Sequence, residues 1–214
     1  MSQEMKAADR AYREIKERIL SGRLPGGDLV SENEMAGQLG TSRTPVREAL
    51  QRLQTEGWMR LYPKRGALIV PVPPHEAQHV AQARYVVETG AVRALTEPAR
   101  AALLIGLRAS LERQRGLAAA DDLDELAIVC VDFHSEIVAA ADNPLLTSFY
   151  GSLRDRQRRM NSLALHRADI SIDRLAEQHT RLADLIEGSD ADGFAAALTQ
   201  HLTAVHGVTV RGLG

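Results

Sequence analysis

Residues 31–70 read SENEMAGQLGTSRTPVREALQRLQTEGWMRLYPKRGALIV. Ser31 and Glu34 have the spacing of a capping box, in which the serine side chain accepts a hydrogen bond from the backbone N–H three residues on. The short helix they open buries Met35, Ala36 and Leu39 and stops at Gly40. Ser42 or Thr44 can cap the next helix, whose first turn tolerates Pro45, and Val46, Ala49, Leu50 and Leu53 form its apolar stripe. Two helices joined by so tight a turn, LGTS, predict a helix-turn-helix. After Gly57, WMRLY and ALIVP read as two short strands around PKRG, a β-hairpin. Upstream, Tyr12, Ile15 and Ile19 mark a first helix that ends at SGRLPGG. Helix, helix-turn-helix and hairpin follow one another in the order of a winged helix.

The proline cluster PVPPHE (71–76) separates this region from one where nearly every segment has helical period. The expected fold is mainly α: a winged helix-turn-helix over 1–72, a linker at 73–76, and an all-α bundle over 77–214. About six helices are predicted in the bundle, near 76–97, 99–118, 122–141, 144–166, 170–188 and 191–210, with breaks at EPA, AADD, DNP, HRAD and EGSDAD.

Composition narrows the function. The chain has 214 residues, 44% of them hydrophobic, the level of an ordinary soluble protein. It has no apolar run long enough for a membrane span and no secretory leader in MSQEMKAADR, so a cytoplasmic location is expected. Cys130 is the only cysteine, which excludes an intrachain disulfide framework. The net charge of −2 divides into about +3 over residues 1–74 and about −5 over the rest, so a polyanion partner is expected for the first region alone.

That partner would be duplex DNA. Arg43, Thr44 and Arg47 fall opposite the Val46/Leu50/Leu53 stripe, near the helix end that a recognition helix presents to the major groove. The planar fork of arginine can hydrogen-bond guanine O6 and N7 together, while the Ser42 and Thr44 hydroxyls can take phosphates. Lys64, Arg65 and Gly66 at the hairpin tip could reach the adjacent backbone or minor groove. An ordinary charged surface would carry the same residues; the order of elements favours DNA.

The run from ILSGRLPGG to KRGALIV, with TSRTPVREALQRL its most specific part, resembles the GntR family of bacterial transcription regulators over about residues 8–72. The resemblance implies that Arg43, Thr44 and Arg47 read an operator of two-fold symmetry, with Asn33 and the Arg65-Gly66 tip as supporting contacts. It also implies a homodimer.

The stretches ARYVVETGAVRAL, FHSEIVAAADNPLL and EQHTRLADLIEGSDADGFAAALTQHL are similar to the helical effector domain, called FCD, of the FadR branch of that family. Many members hold a divalent metal inside this bundle through one Asp and three His. Carried over, the histidines are His134, His179 and His201, each on a different predicted helix, and neutral imidazoles converging in a bundle suit zinc, nickel or similar metals. Four residues before His134, where the family has Asp, stands Cys130; Asp132 should face elsewhere. Three outcomes follow: Cys130 ligates as thiolate, three histidines bind metal with solvent, or metal binding is lost. Arg84 matches a family position facing the effector cavity, where its fork would pair with a carboxylate ligand; one turn from Glu88, it could equally form a simple helix pair. The other histidines, His75, His79, His166 and His206, lie near linkers or helix ends and read as solvated.

The expected function is a repressor released by a small organic acid bound in a metal-containing helical domain. Two alternatives stand beside it. One is the same regulator with a metal-free pocket. The other is a zinc hydrolase, because His75, Glu76 and His79 spell H-E-x-x-H, with Glu88 or Glu97 as a third ligand. Such a hydrolase buries its motif mid-helix, whereas this one follows PVPP directly.

Overall fold

The computed structural model describes residues 6–167 and 171–207. The chain divides into two compact units, Met1–Val72 and Pro73–Gly214.

In the first unit, α1 (Ala7–Leu20), β1 (Leu29–Val30), α2 (Glu32–Gln38), α3 (Arg43–Thr55), β2 (Met59–Tyr62) and β3 (Gly66–Ile69) follow in order. Ser31 caps α2, its Oγ accepting from Glu34 N at 3.1 Å. The Glu34 carboxylate accepts from Gln38 Nε2 instead of returning to Ser31. Ser42 is the N-cap of α3 but makes no capping bond with its side chain, so its hydroxyl stays available. Ile15, Ile19, Met35, Val46, Leu50, Leu53, Met59 and Ile69 meet in one core, joining the helical period of α1–α3 to the alternation of the strands.

The sheet holds one strand more than the hairpin read from sequence. β1 pairs antiparallel with β3, through Leu29↔Leu68 and Val30↔Ala67, giving the order β1-β3-β2. Two residues are too few to show alternation, and the pairing is long-range. Gly66 is set by this contact: at φ +108°, a Cβ there would lie 2.4 Å from the Val30 carbonyl oxygen.

The second unit contains α4 (Pro74–Ala94), α5 (Glu97–Ala119), α6 (Leu123–Ala139), α7 (Pro144–His166), α8 (Ile172–Glu187) and α9 (Ala191–His206). These are the six helices expected; positions 168–170 and 208–210, at the edges of the last ones, lie outside the described residues. Segment 73–76 is not an extended linker. Pro73 is the N-cap of α4 and Pro74 stands in its first turn, where a fixed φ suits a helix and a missing N–H costs nothing.

α6 buries Leu126, Cys130, Phe133, His134 and Ile137; α8 buries Leu175, His179, Leu182 and Ile186; α9 buries Phe194, Leu198, His201, Leu202 and Val205. Each cluster histidine therefore occupies a position on an apolar stripe, and helix packing turns all three inward. Leu107, Leu111, Phe133, Ile137, Leu182 and Phe194 form the apolar core beside them.

Candidate functional site

His134, His179 and His201 are buried and converge, with their ligating atoms all within 4.8 Å of one another. His134 Nε2 lies 3.3 Å from His179 Nε2 and 3.1 Å from His201 Nε2. The other ring nitrogen of each meets an oxygen from a further residue. His134 Nδ1 is 2.8 Å from Glu88 Oε2, His179 Nδ1 is 2.7 Å from Gln114 Oε1, and His201 Nδ1 is 3.1 Å from Gln178 Oε1. A carboxylate or amide oxygen only accepts, so each Nδ1 carries the hydrogen and each Nε2 presents a lone pair to the centre.

Burial lowers the pKa of all three rings. For His134, Glu88 opposes the shift in part; for His179 and His201, neighbouring imidazoles and Arg84 deepen it. Three neutral imidazoles with lone pairs pointing at one another repel unless something electron-poor lies between them. The donor set fits a divalent transition metal, and its outer oxygens are the partners such ligands use to fix tautomer and orientation.

Cys130 stands outside this cluster. It packs among Leu126, Ala164, Leu165 and Leu175, its thiol donates to Gln114 Oε1 at 3.9 Å, and burial pushes its pKa up to about 12. In this packing the thiol reads as a small hydrophobe outside the three-histidine cluster, while it also lines the small cavity beside His179 and His201. Asp132 faces outward, 2.5 Å from Arg154.

Arg84, only 1% exposed, forms the helix pair and leaves an arm over. Its Nε donates to Glu88 Oε1 at 2.8 Å and its Nη1 lies 3.3 Å from His206 Nε2, while Nη2 has no partner among the described residues. Glu88 also accepts from Tyr150 Oη at 2.6 Å. Burial alone would raise the Glu88 pKa, but Arg84 and then His134 and Tyr150 bring it down to about 2. Among the described residues, Gln157 Nε2, Asn161 Oδ1 and Ser162 Oγ on α7 are likewise buried without partners. Asn161, His179 and His201 line a cavity of about 10 Å³ together with Cys130 and Leu175.

Sequence reasoning missed Gln114, Gln178 and Tyr150. Gln114 had a signal, as a polar residue continuing the buried Leu103/Leu107/Leu111 stripe of α5. His206, read as solvated, belongs to this network; burial and then Arg84 lower its pKa to about 3. His166 is exposed beside Asp124, at 3.0 Å.

The H-E-x-x-H residues build no such site. His75 and His79 are exposed on the first turns of α4, and Glu76 is bound by Arg156 at 2.8 Å. Glu97 is exposed at the start of α5, and Glu88 is committed to Arg84, His134 and Tyr150.

In the first unit, Asn33, Ser42, Arg43, Thr44 and Arg47 are all exposed. Together with Lys64 and Arg65 of the hairpin tip, Asn33, Arg43 and Arg47 line one open groove. Lys64 and Arg65 are exposed and form no ion pair among the described residues.

Comparison with known proteins matches residues 7–69 to "Bacterial regulatory proteins, gntR family" and residues 79–204 to the "FCD domain". The chain is 32% identical over 188 residues to the "Probable D-xylose utilization operon transcriptional repressor" of Paenarthrobacter nicotinovorans, covering 87% of this chain and 81% of the relative. It is 29% identical over 171 residues to the "Gluconate operon transcriptional repressor" of Bacillus subtilis (strain 168), covering 80% and 69%. In fold it is similar to a putative GntR regulator from Rhodococcus sp. RHA1, with a TM-score of 0.73 at 17% identity over 94% of this chain and 95% of that one. It is also similar to E. coli McbR/YncC, with a TM-score of 0.69 at 22% identity over 94% and 95%.

Proposed function

Because the chain belongs to the GntR family of bacterial transcription regulators and carries an FCD domain, we propose that it is a repressor released from its operator by a small organic acid held at a divalent metal centre. DNA binding and transcription regulation, rather than catalysis, come with the family. The observation that carries the finer reading is the convergence of three Nε2 lone pairs, each oriented by an oxygen behind it.

His134, His179 and His201 would hold zinc, nickel or a similar ion, and Cys130 stays out of the coordination. Bound there, the ion supplies a Lewis-acidic positive centre in a buried site. Glu88 is already balanced by Arg84 and the imidazoles are neutral, so that positive charge calls for an anion. Arg84 Nη2 is the buried donor left over for a carboxylate, and Gln157, Asn161 and Ser162 offer further hydrogen bonds to a polar molecule. The cavity of about 10 Å³ admits roughly one water. An organic acid therefore enters only as the surrounding helices move apart, and that displacement is the differential interaction an allosteric effector needs.

On the DNA side, Arg43, Thr44 and Arg47 read bases, while Asn33, Ser42, Lys64, Arg65 and Gly66 support them on the backbone. Two copies would bind a two-fold operator, and Val86, Ile105, Leu145 and Phe149 are exposed apolar side chains of the kind a dimer covers. The test is to measure operator affinity with and without members of a panel of small carboxylates. Release by an acid that also raises the melting temperature supports the reading. Release that persists after the metal is stripped would replace it with a metal-free pocket.

A further inference from the structure

Glu32 places a negative charge on the surface that must meet DNA. It is the first residue of α2, and its carboxylate reaches across the turn to α3. Oε1 accepts from Arg47 Nε at 2.9 Å, Oε2 accepts from Arg47 Nη2 at 2.8 Å, and Arg43 Nη2 lies 3.5 Å from Oε2. The paired hydrogen bonds from Arg47 lower the Glu32 pKa, so the carboxylate is ionised wherever the protein meets DNA. An acidic residue in a first helical turn suits the helix dipole. Glu34 already does this in the same turn, and among the described residues its carboxylate bonds only along its own helix, to Gln38. The dipole therefore does not account for the reach of Glu32 to the arginines.

A guanidinium offers two bidentate edges. Glu32 occupies the edge made by Nε and Nη2, which leaves the terminal edge, Nη1 with the second hydrogen of Nη2, free and its plane fixed. With the other edge taken, the terminal edge is the one left to meet guanine O6 and N7 together. An unheld arginine would spend its rotamer freedom on the nearest phosphate, which carries no sequence information.

We propose that Glu32 is a positioning residue that determines specificity, turning Arg47 away from phosphates and presenting its terminal edge to a base. The proposal rests on the reading of Arg47 as a base contact. It makes Glu32 unfavourable for non-sequence-specific binding, since its charge repels the phosphates, and favourable for discrimination. Opposite effects on the two quantities are its signature.

The experiment uses the full chain and a pool of duplexes randomised in sequence. Selection with the wild type gives a consensus, and selection with Arg47→Ala identifies the base column that Arg47 reads. Affinities for the consensus duplex, for one changed at that column, and for an unselected duplex are then measured at fixed salt for the wild type and for Glu32→Gln, Glu32→Ala and Glu32→Asp. Melting curves establish that each variant is folded. Glu32→Gln and Glu32→Ala should reduce discrimination at that column roughly tenfold, with binding to unselected duplex retained or tightened. Glu32→Asp, too short to span both nitrogens, should lose discrimination without tightening non-specific binding.

Wild-type discrimination in the folded Gln and Ala variants would overturn the positioning role. So would an equal fall in affinity for consensus and unselected duplex. If no consensus is enriched, or if Arg47→Ala leaves it unchanged, the base-reading assignment itself fails.

Discussion

Gln114 Oε1 accepts from His179 Nδ1 at 2.7 Å, so a side chain of α5 decides which nitrogen of a ring on α8 faces the histidine cluster. The amide is fixed in turn, its Nε2 donating to Ser110 Oγ at 3.3 Å and its oxygen taking the Cys130 thiol. Glu88 does the same for His134 and Gln178 for His201. The three lone pairs point inward because three oxygens stand behind the rings.

Gln114→Leu removes one of these oxygens and frees the His179 tautomer. Metal affinity, measured by competition with a chelator of known strength, should fall about 10–100-fold, and stability should drop by about 1–3 kcal/mol through the orphaned N–H. Gln114→Glu, which keeps an acceptor, should restore most of the affinity. Unchanged affinity in the leucine variant would remove Gln114 from the site.

Arg84→Lys keeps a cation beside Glu88 but loses the free arm of the fork. The metal content should stay at the wild-type level, while the rise in melting temperature given by the most effective small carboxylate should largely vanish. For the wild type that stabilisation is about 2.7 kcal/mol when ligand stands on the order of a hundredfold above its Kd. An equal rise in the lysine variant would place the carboxylate elsewhere.

The pH dependence follows from three buried rings and the half-buried His206. His134, His179, His201 and His206 all have folded pKa values below the ordinary value of 6.5, so below that pH the unfolded chain binds protons that the folded chain refuses. Stability should hold above about pH 6.5 and fall as the pH drops below it, each ring contributing up to about 1.4 kcal/mol per pH unit. Melting of chelator-treated protein at pH 7.5 and pH 5.5 checks this; equal melting temperatures would mean that the rings are protonated in the fold.

Arg47 is exposed and bonded to Glu32 on the surface, so Arg47→Ala should weaken operator binding by roughly one to two orders of magnitude while leaving the melting temperature close to that of the wild type. Undiminished operator affinity at controlled salt would defeat its assignment as a base contact.

The winged helix was legible because its helices alternate caps and apolar stripes over short distances, as Ser31 before Met35 and Ser42 before Val46 and Leu50 show. The strand Leu29–Val30 was not, since its place depends on β3 rather than on its own pattern. In the second unit, His179 and His201 could be placed on apolar stripes, and their resemblance to family positions named them as ligands. Their supporting oxygens could not be paired in the same way. Helical period puts Gln114 inside the bundle, but only packing shows that His179 is the ring it meets. His206 looked solvated because it ends its helix, and Cys130 stood open between ligand and small hydrophobe because spacing along one helix does not tell which way a neighbouring pocket opens.

The metal centre itself is tested most directly by the metal content of the purified wild type, of His75→Ala/His79→Ala and of His134→Ala/His179→Ala, measured by elemental analysis. The account predicts one divalent transition metal per chain in the first two proteins and none in the third. Metal lost with the first pair and kept with the second, or a wild type that binds none when zinc or nickel is supplied, would contradict it.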